Sequence, residues 1–534
     1  MNREFRGQLC AREKFAITLE LVPGPESRGR SVDTVKAIAE DARKDGRVSA
    51  VSITDNPGGN PALSPDVLGS EIQDAGMDVI VHCTCRDQNR AGLESRALQL
   101  AHMGLLNILA LTGDYSSGGF GGQGLPVFDL DSVTLICLLH ALNGRVQDDT
   151  DSGTDGPHAG FFVGCAVSPF KRTEAECLAQ YAKLRMKTAV GADFVITQLG
   201  YDARKFQELR QVQRLLNIEL PTLGTVFLLT PKVAKILHRG NVPGAVVTRT
   251  LLSRVTEGGN GGASGSTPGI EAAARLAVVL KGLGYAGVHL SGVRRSFKAV
   301  DQILSRMDEI EGRWREFLPE FDLPQSEGFY VFEESEDQRP LSTNALRPRT
   351  SRSGFFEKAV MRAMQGLHRL FFRLDSPMAP ALKQMAALLN RSCAGRLLLR
   401  GVEDPMKMLL LRCRRCGDCA IQHTAFLCPE SQCPKHMRNG ACGGSTDGQC
   451  EVDAKRRCVW ARCYDRLSAV GQADTMGTDC VPPRMWQLDG SSAWLNFHLR
   501  RDHQSLPCDL ARLFQPSRCP VRKGASEPAE ESAK

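Results

Sequence analysis

Nine of the nineteen cysteines in this 534-residue chain fall between Cys413 and Cys463. They open as Cys413-Arg-Arg-Cys416-Gly-Asp-Cys419 and continue through Cys428, Cys433, Cys442, Cys450 and Cys458. Thiolates two residues apart can converge on one metal centre, whereas a single disulfide would use one pair. The Cys-x2-Cys-x2-Cys spacing is that of an opening ferredoxin-type cluster run, and Cys428-Pro429 and Cys433-Pro434 echo the cysteine–proline ending of such runs. The match is partial, because eight residues separate Cys419 from Cys428 where such a run has three. Cys442, Cys450 and Cys458 could complete a second set of four with Cys433, and the glycines of ACGGSTDG let the backbone fold tightly there. An electron-relaying iron–sulfur centre and a structural tetrahedral zinc both suit such ligands. Separate disulfides suit neither the spacing nor a reducing compartment. Cys480, Cys508 and Cys519 are too dispersed to assign, and Cys83, Cys85, Cys137, Cys165 and Cys177 read as small core residues.

The remaining candidates for chemistry sit where short apolar runs end. Those runs are 15–22, 50–54, 78–84, 107–113, 161–168, 193–200, 222–229 and 287–292. They are continuous and lack in/out alternation, which suits parallel strands covered on both faces. Helical patterns lie between them, for example over 31–44, 89–103, 174–189 and 271–283. Eight strand–helix units in nearly 300 residues predict a (β/α)8 TIM barrel. A doubly wound open sheet is the rival, but no GxGxxG turn follows the first strand. Barrel active sites lie at the carboxyl ends of the strands, so position alone selects Glu20, Thr54, His82, Thr84, Thr112, Asp114, Ser168, Gln198 and His289.

Length and composition bound the rest. A chain of 534 residues exceeds one hydrophobic core. We expect a barrel over 1–312, a linker with amphipathic helices over 313–395 and a cysteine-rich metal-binding domain over 396–534. The hydrophobic fraction of 42% and charged fraction of 24% are those of an ordinary globular protein. A net charge of +7 suits anionic metabolites or cofactors and is too dilute to argue nucleic-acid binding. The opening MNREFRGQLCAREKF lacks the apolar run of a secretory signal, so a cytoplasmic location is expected. No stretch approaches the roughly 18 apolar residues of a membrane span. Glycine-rich insertions at 118–124 and 257–267 read as loops over the site or as plain connectors. Residues 333–354 read as a flexible charged linker. The stripe of 355–373, with basic residues opposite, could lie on a membrane surface, but packing between domains is the expected role. The end, RKGASEPAEESAK, is expected to be disordered.

The first segment resembles the methylenetetrahydrofolate reductase family, flavin-bearing barrels of one-carbon metabolism. The resemblance rests on the Glu20 strand with Pro23, VSIT (51–54), HCTC-RD (82–87), ILALTGD (108–114), VFDLDSV (127–133), GADFVITQLGYD (191–202) and GVHLSG (287–292), in the family's order. The second half resembles the C-terminal domain found with some bacterial members, through CGDC (416–419), FLCP-SQCPK (426–435), NGACGGSTDGQCEV (439–452), CVW (458–460) and RDH (501–503).

The resemblance implies reduction of 5,10-methylenetetrahydrofolate to 5-methyltetrahydrofolate by hydride from a reduced flavin. Opening the substrate's five-membered ring to an iminium cation requires a proton, and Glu20 matches the family's acidic residue on the first strand. A carboxyl shielded in a barrel mouth has a raised pKa and can serve as that acid. Asp114 matches the aspartate expected to bind the pterin and stabilise the folate cation, and Gln198 the glutamine expected at the pterin edge. Thr54 and His82 match positions that contact flavin, and Gly113 belongs to the same Gly-Asp pair. Thr112 stands where better-known members carry an arginine, which leaves the flavin open between FAD and FMN. Lys187 is a candidate partner for cofactor phosphate.

NAD(P)H is the donor that simple members imply, while the cysteine-rich domain offers a route from reduced ferredoxin. A folate substrate, an electron-donor protein and a homo-oligomer are the expected partners, with no nucleic acid. The same machinery could run as a methyltetrahydrofolate oxidase in methyl catabolism. A non-redox folate-binding or methyl-transfer module, or a C-terminal half that docks another oxidoreductase, are the rivals.

Overall fold

The eight apolar runs become eight parallel strands: β1 (Ala16–Leu21), β2 (Ala50–Ile53), β3 (Val79–Thr84), β4 (Asn107–Leu111), β5 (Phe162–Val167), β6 (Phe194–Thr197), β7 (Thr222–Phe227) and β8 (Gly287–Ser291). Each pairs with the next, and β8 pairs with β1, closing a barrel. This computed structural model describes residues 4–148, 160–240, 242, 244–258, 268–349 and 354–506. Most of the second glycine-rich insertion, Cys508, Cys519 and the RKGASEPAEESAK end fall outside the described residues.

Around the barrel run α1 (Glu4–Ala11), α2 (Arg30–Asp45), α3 (Pro65–Asp74), α4 (Arg90–His102), α5 (Ser132–Asp148), α6 (Glu174–Ala189), α7 (Ala203–Leu215), α8 (Pro231–His238), α9 (Arg249–Gly258), α10 (Pro268–Gly282), α11 (Lys298–Glu309) and α12 (Trp314–Phe317). Their starts are written in the sequence: Ser64 before Pro65, Thr173 and Asp202 each accept a hydrogen bond from the first turn of the helix they precede. Val51, Val81, Val163 and Val195 point outward into the large apolar layer beneath these helices.

The inner face is divided. At the amino ends of the strands Ala16, Ala50, Ile80, Leu109, Phe162, Phe194 and Leu223 form an apolar floor, joined from below by Phe5 of α1. Phe5 meets Phe162 and Phe194 edge-on, at centroid distances of 6.1 and 5.6 Å. Two residues further up, the inward positions of β1, β2, β3 and β7 carry Thr18, Ser52, His82 and Thr225, all buried. The period of two in a strand therefore carries Glu20, Thr54 and Gln198 inward at the top.

The segment expected to be a flexible linker is largely ordered. β9 (Phe332–Glu334) and β10 (Ser342–Leu346) form an antiparallel ribbon against α7. The reason is a buried carboxylate: Glu208 accepts from the backbone N–H of Val331 and Phe332 at 2.9 and 3.0 Å and from the Ser342 hydroxyl at 2.9 Å. Arg204 donates to Ser342 Oγ and to the Phe332 carbonyl at 2.7 and 2.9 Å. A charged composition was compatible with disorder, but one helix supplies the ribbon's missing partners.

Three helices follow, α13 (Phe355–Phe371), α14 (Ala379–Arg391) and α15 (Cys393–Leu411), and then the cysteine-rich domain with short α16 (Pro429–Gln432), α17 (Val459–Ala469) and α18 (Ala493–His498). Met361 of α13 is buried in the cluster that contains Trp460 and Tyr464 of α17, so part of its stripe packs as expected, while Leu367 and Leu370 stay exposed. Among the described residues no helix is long and apolar enough to cross a membrane.

Glu208→Ala removes the acceptor of two buried N–H groups and a hydroxyl. It should cost about 3 kcal/mol in chemical denaturation, with native far-ultraviolet dichroism below the transition.

Candidate active site

Glu20 lies on β1 opposite Ser52 of β2, one residue below the strand's end, facing the barrel axis. Burial pushes its carboxyl up to about 7, and the Arg294 guanidinium beyond β8 draws it back only in part. At neutral pH this group is poised to hold or release a proton.

Four buried polar atoms on the same inner surface have no hydrogen-bond partner among the described residues: Ser52 Oγ, Thr54 Oγ1, His82 Nε2 and Ser168 Oγ. An unsatisfied buried polar atom costs about 1–3 kcal/mol. Each of the four is a hydrogen-bonding group left open to a polar ligand. Burial holds His82 down to about 4, hence neutral; His289 beside it lies lower for the same reason and is paired with the Thr18 hydroxyl at 2.8 Å.

The loop after β4 forms the opposite rim. Gly113 has φ +92°, and a Cβ there would lie 3.0 Å from Thr84 Cβ, so the turn requires glycine. Asp114 follows, exposed in the opening, its Oδ2 accepting from the Gly58 N–H at 3.2 Å. Arg86 of the HCTC-RD motif, nearly fully buried, donates to the Asp114 carbonyl at 3.3 Å and braces this turn. Gln198 is half-buried at the end of β6, with Oε1 accepting from the Leu199 N–H.

Two expected cofactor contacts are placed elsewhere. Thr112 is out of phase with the inward positions, and its hydroxyl donates to Ser132 Oγ at 3.3 Å behind the rim. Lys187 is buried between α6 and β5, where its ammonium donates to the Ala166 carbonyl at 2.6 Å. Burial lowers it to about 8.

The cysteine-rich domain is seated on this rim. Lys435, two residues after Cys433, donates to the Gly113 carbonyl at 2.8 Å and pairs with Glu451 at 2.6 Å. Glu451 in turn accepts from the Cys442 thiol at 3.1 Å. Lys171, in the loop after β5, donates to the carbonyls of Gly443 and Ser445, the latter at 2.6 Å. A Cβ on Gly244 would lie 3.1 Å from the Gly443 carbonyl and 3.4 Å from Gln198 Nε2, so the ACGGSTDG loop reaches the edge of the pocket. The VFDLDSV motif completes the joint: Asp131 accepts from the Asn439 N–H at 3.1 Å, and Asp129 from Trp486 Nε1 at 2.7 Å. Sequence reasoning missed Lys435 and Lys171 because neither sits at a strand end or in a metal spacing.

The cysteines of the first expected set share one pocket. Cys413, Cys416, Cys419 and Cys428 line one pocket with Glu403, Lys407 and Leu411 of α15. Burial and then the Cys419 thiol push Cys416 up to about 12, so these groups are near neighbours. Cys433 is likewise pushed up to about 12, by burial first, with Cys458 and Cys450 adding to it. Four thiols per set match the donor number of an iron–sulfur cluster or a zinc ion. Among the described residues, no three ligating side chains converge on a single point, and none of these cysteines forms a disulfide. Asp418, inside the first set, is held ionised by the His503 ring and the Arg438 guanidinium despite its burial, which gives the RDH motif its role. Cys463 lies buried in α17 and belongs to the core.

Two family models match the chain. One, described as methylenetetrahydrofolate reductase, covers residues 6–308, and the other, described as methylene-tetrahydrofolate reductase C terminal, covers residues 395–487. A "Probable methylenetetrahydrofolate reductase (NADPH)" of Caenorhabditis elegans is 27% identical over 180 residues, 32% of this chain and 25% of that one. Methylenetetrahydrofolate reductase 1 of Schizosaccharomyces pombe is 26% identical over 213 residues, 39% of this chain and 32% of that one. The chain thus spans a quarter to a third of the length of these curated relatives. Among solved structures, an uncharacterized protein from Clostridium thermocellum that binds two copies of 5-methyl-5,6,7,8-tetrahydrofolic acid matches with TM-score 0.38 and 11% identity, over 57% of this chain and 98% of that one.

The raised Glu20 pKa has a stability consequence. The carboxyl is protonated in both states below its unfolded value, and as pH climbs toward about 7 unfolding releases a proton, so stability falls across that window. Ligand-free Glu20→Gln should therefore match wild type near pH 4 and exceed it at pH 8 by as much as about 3 kcal/mol in urea titrations. Lys435→Met strands the Glu451 carboxylate and should cost about 3 kcal/mol; adding Glu451→Gln should recover part of that loss, as a double-mutant cycle would measure.

Proposed function

The chain belongs to the methylenetetrahydrofolate reductase family, and we propose that it reduces 5,10-methylenetetrahydrofolate to 5-methyltetrahydrofolate at the barrel mouth. The observation that carries this reading is an inward-facing carboxyl whose burial raises it to about 7, at a mouth lined by unsatisfied polar atoms.

The substrate's methylene carbon bridges N5 and N10, and the product retains it on N5. N10 must therefore leave, and it needs a proton to do so. Glu20 delivers that proton to N10, which leaves an N5-iminium cation as the electrophile. The Asp114 carboxylate stabilises the cation and binds the pterin, while the Gln198 amide both donates to and accepts from the pterin edge. Bound reduced flavin, FAD or FMN, would supply the hydride. Thr54 Oγ1, His82 Nε2, Ser52 Oγ and Ser168 Oγ would hold it, with the Gly113 turn allowing close approach. Hydride and proton together account for the two electrons and two hydrogens that the methyl product gains.

For the electrons, the seating of the cysteine-rich domain on the mouth favours a relay. Cys433, Cys442, Cys450 and Cys458 would hold the centre nearer the flavin, and Cys413, Cys416, Cys419 and Cys428 the outer one. Iron–sulfur clusters there would carry single electrons from a reduced carrier such as ferredoxin, whereas zinc would only hold the fold and leave NAD(P)H as donor.

Anaerobically purified protein should show flavin absorbance and reduce methylenetetrahydrofolate. In Glu20→Gln, kcat should fall by about 10²–10⁴-fold and the pH-rate limb near 7 should vanish, with flavin content unchanged. Wild-type turnover in that variant would remove the acid, and a protein without flavin or turnover would overturn the reading.

A further inference from the structure

Residues 355–415 carry twelve Lys and Arg against four Asp and Glu, a surplus of eight, whereas the rest of the chain is nearly neutral within a formal net charge of +7. Its last helix, α15, has no buried residue. The inner side is tied down, with Glu403 accepting from the Trp494 N–H and Arg400 donating to the Gly490 carbonyl. The outer side carries Leu398, Val402, Met406 and Leu409 at helical spacing, 67%, 58%, 58% and 84% exposed. Solvated helices seldom keep such a stripe, and apolar patches of this kind mark interaction surfaces.

The stripe leads directly to the first cysteine set. Cys413 follows the end of α15 by two residues, and Glu403, Asp404, Lys407 and Leu411 line the same pocket as the four thiols. Exposed Arg412 and Arg414 flank it. The second set faces the barrel through Lys435, while Cys413 of the first set is part-exposed beyond the end of α15.

We infer that the outer face of α15 docks a small acidic one-electron carrier protein beside Cys413, Cys416, Cys419 and Cys428. An apolar centre within a basic rim is the surface an acidic carrier complements, and the rim steers its approach. A second copy would set one strongly basic segment against another. An anionic lipid surface would answer the charge but not the four adjoining thiols. The inference rests on the relay proposed above. Each docked carrier gives up one electron, and two such transfers with two protons convert one methylene bridge to a methyl group.

The test uses full-length protein and a reduced bacterial ferredoxin, with binding followed by calorimetry. Wild type should bind, with affinity falling at least about tenfold between roughly 50 and 200 mM salt. Leu398→Glu/Leu409→Glu, which adds charge without touching a buried group, should weaken binding by about tenfold or more, while Lys232→Glu on distant α8 should not. Reduction by dithionite should proceed at the wild-type rate in each variant, reporting intact centres. Equal binding by the double variant, or no binding of ferredoxin or flavodoxin by wild type, would overturn the dock. So would capture of wild type alone by phosphatidylglycerol vesicles, or a wild-type dimer that the double variant abolishes. Carrier binding without electron transfer to folate would instead sink the relay and leave the dock standing.

Discussion

The structure depends on how the inside of the barrel is shared between floor and mouth. Phenylalanines from β5 and β6, sealed by Phe5 of α1, fill the lower half and exclude water. That leaves the upper half as a low-dielectric cup into which the strand period forces Glu20, Ser52, Thr54, His82 and Gln198. Desolvation in such a cup keeps one carboxyl protonated near neutrality and two histidines neutral. It also leaves polar atoms unsatisfied, a cost the large apolar layer outside the strands must offset. The raised pKa and the unsatisfied atoms are two results of one burial.

The second consequence concerns the cysteine-rich domain. It belongs to the rim of the site through defined polar joints. VFDLDSV, on the barrel, presents carboxylates that receive Asn439 and Trp486, while the ACGGSTDG loop presents carbonyls that receive Lys171. Lys435 closes the circuit, linking Gly113, beside Asp114, to Glu451 and so to Cys442. Motifs that look like separate signatures in the two halves are complementary sides of one contact.

Much of this was legible beforehand. Continuous apolar runs gave away all eight strands, and the inward orientation of Glu20, Thr54 and Gln198 follows from strand parity. Parity also accounts for Thr112, which is one step out of phase and faces Ser132. Position on α6 does not say which layer the long Lys187 side chain enters, and it reaches the Ala166 carbonyl. The order of 333–349 is hidden from composition because the ribbon's partners, Arg204 and Glu208, lie more than a hundred residues upstream. Lys435 and Lys171 were invisible for the same reason: a contact between domains leaves no period and no spacing in either one.

The central claim is that Glu20 keeps its proton up to about pH 7 because the barrel desolvates it. Infrared difference spectroscopy on protein carrying ¹³C-labelled glutamate, with Glu20→Gln as the blank, observes that carboxyl directly. A protonated carbonyl band that titrates away with a midpoint near 7 is the predicted result. A carboxylate already ionised at pH 6, with a midpoint in the ordinary glutamate range, would contradict it.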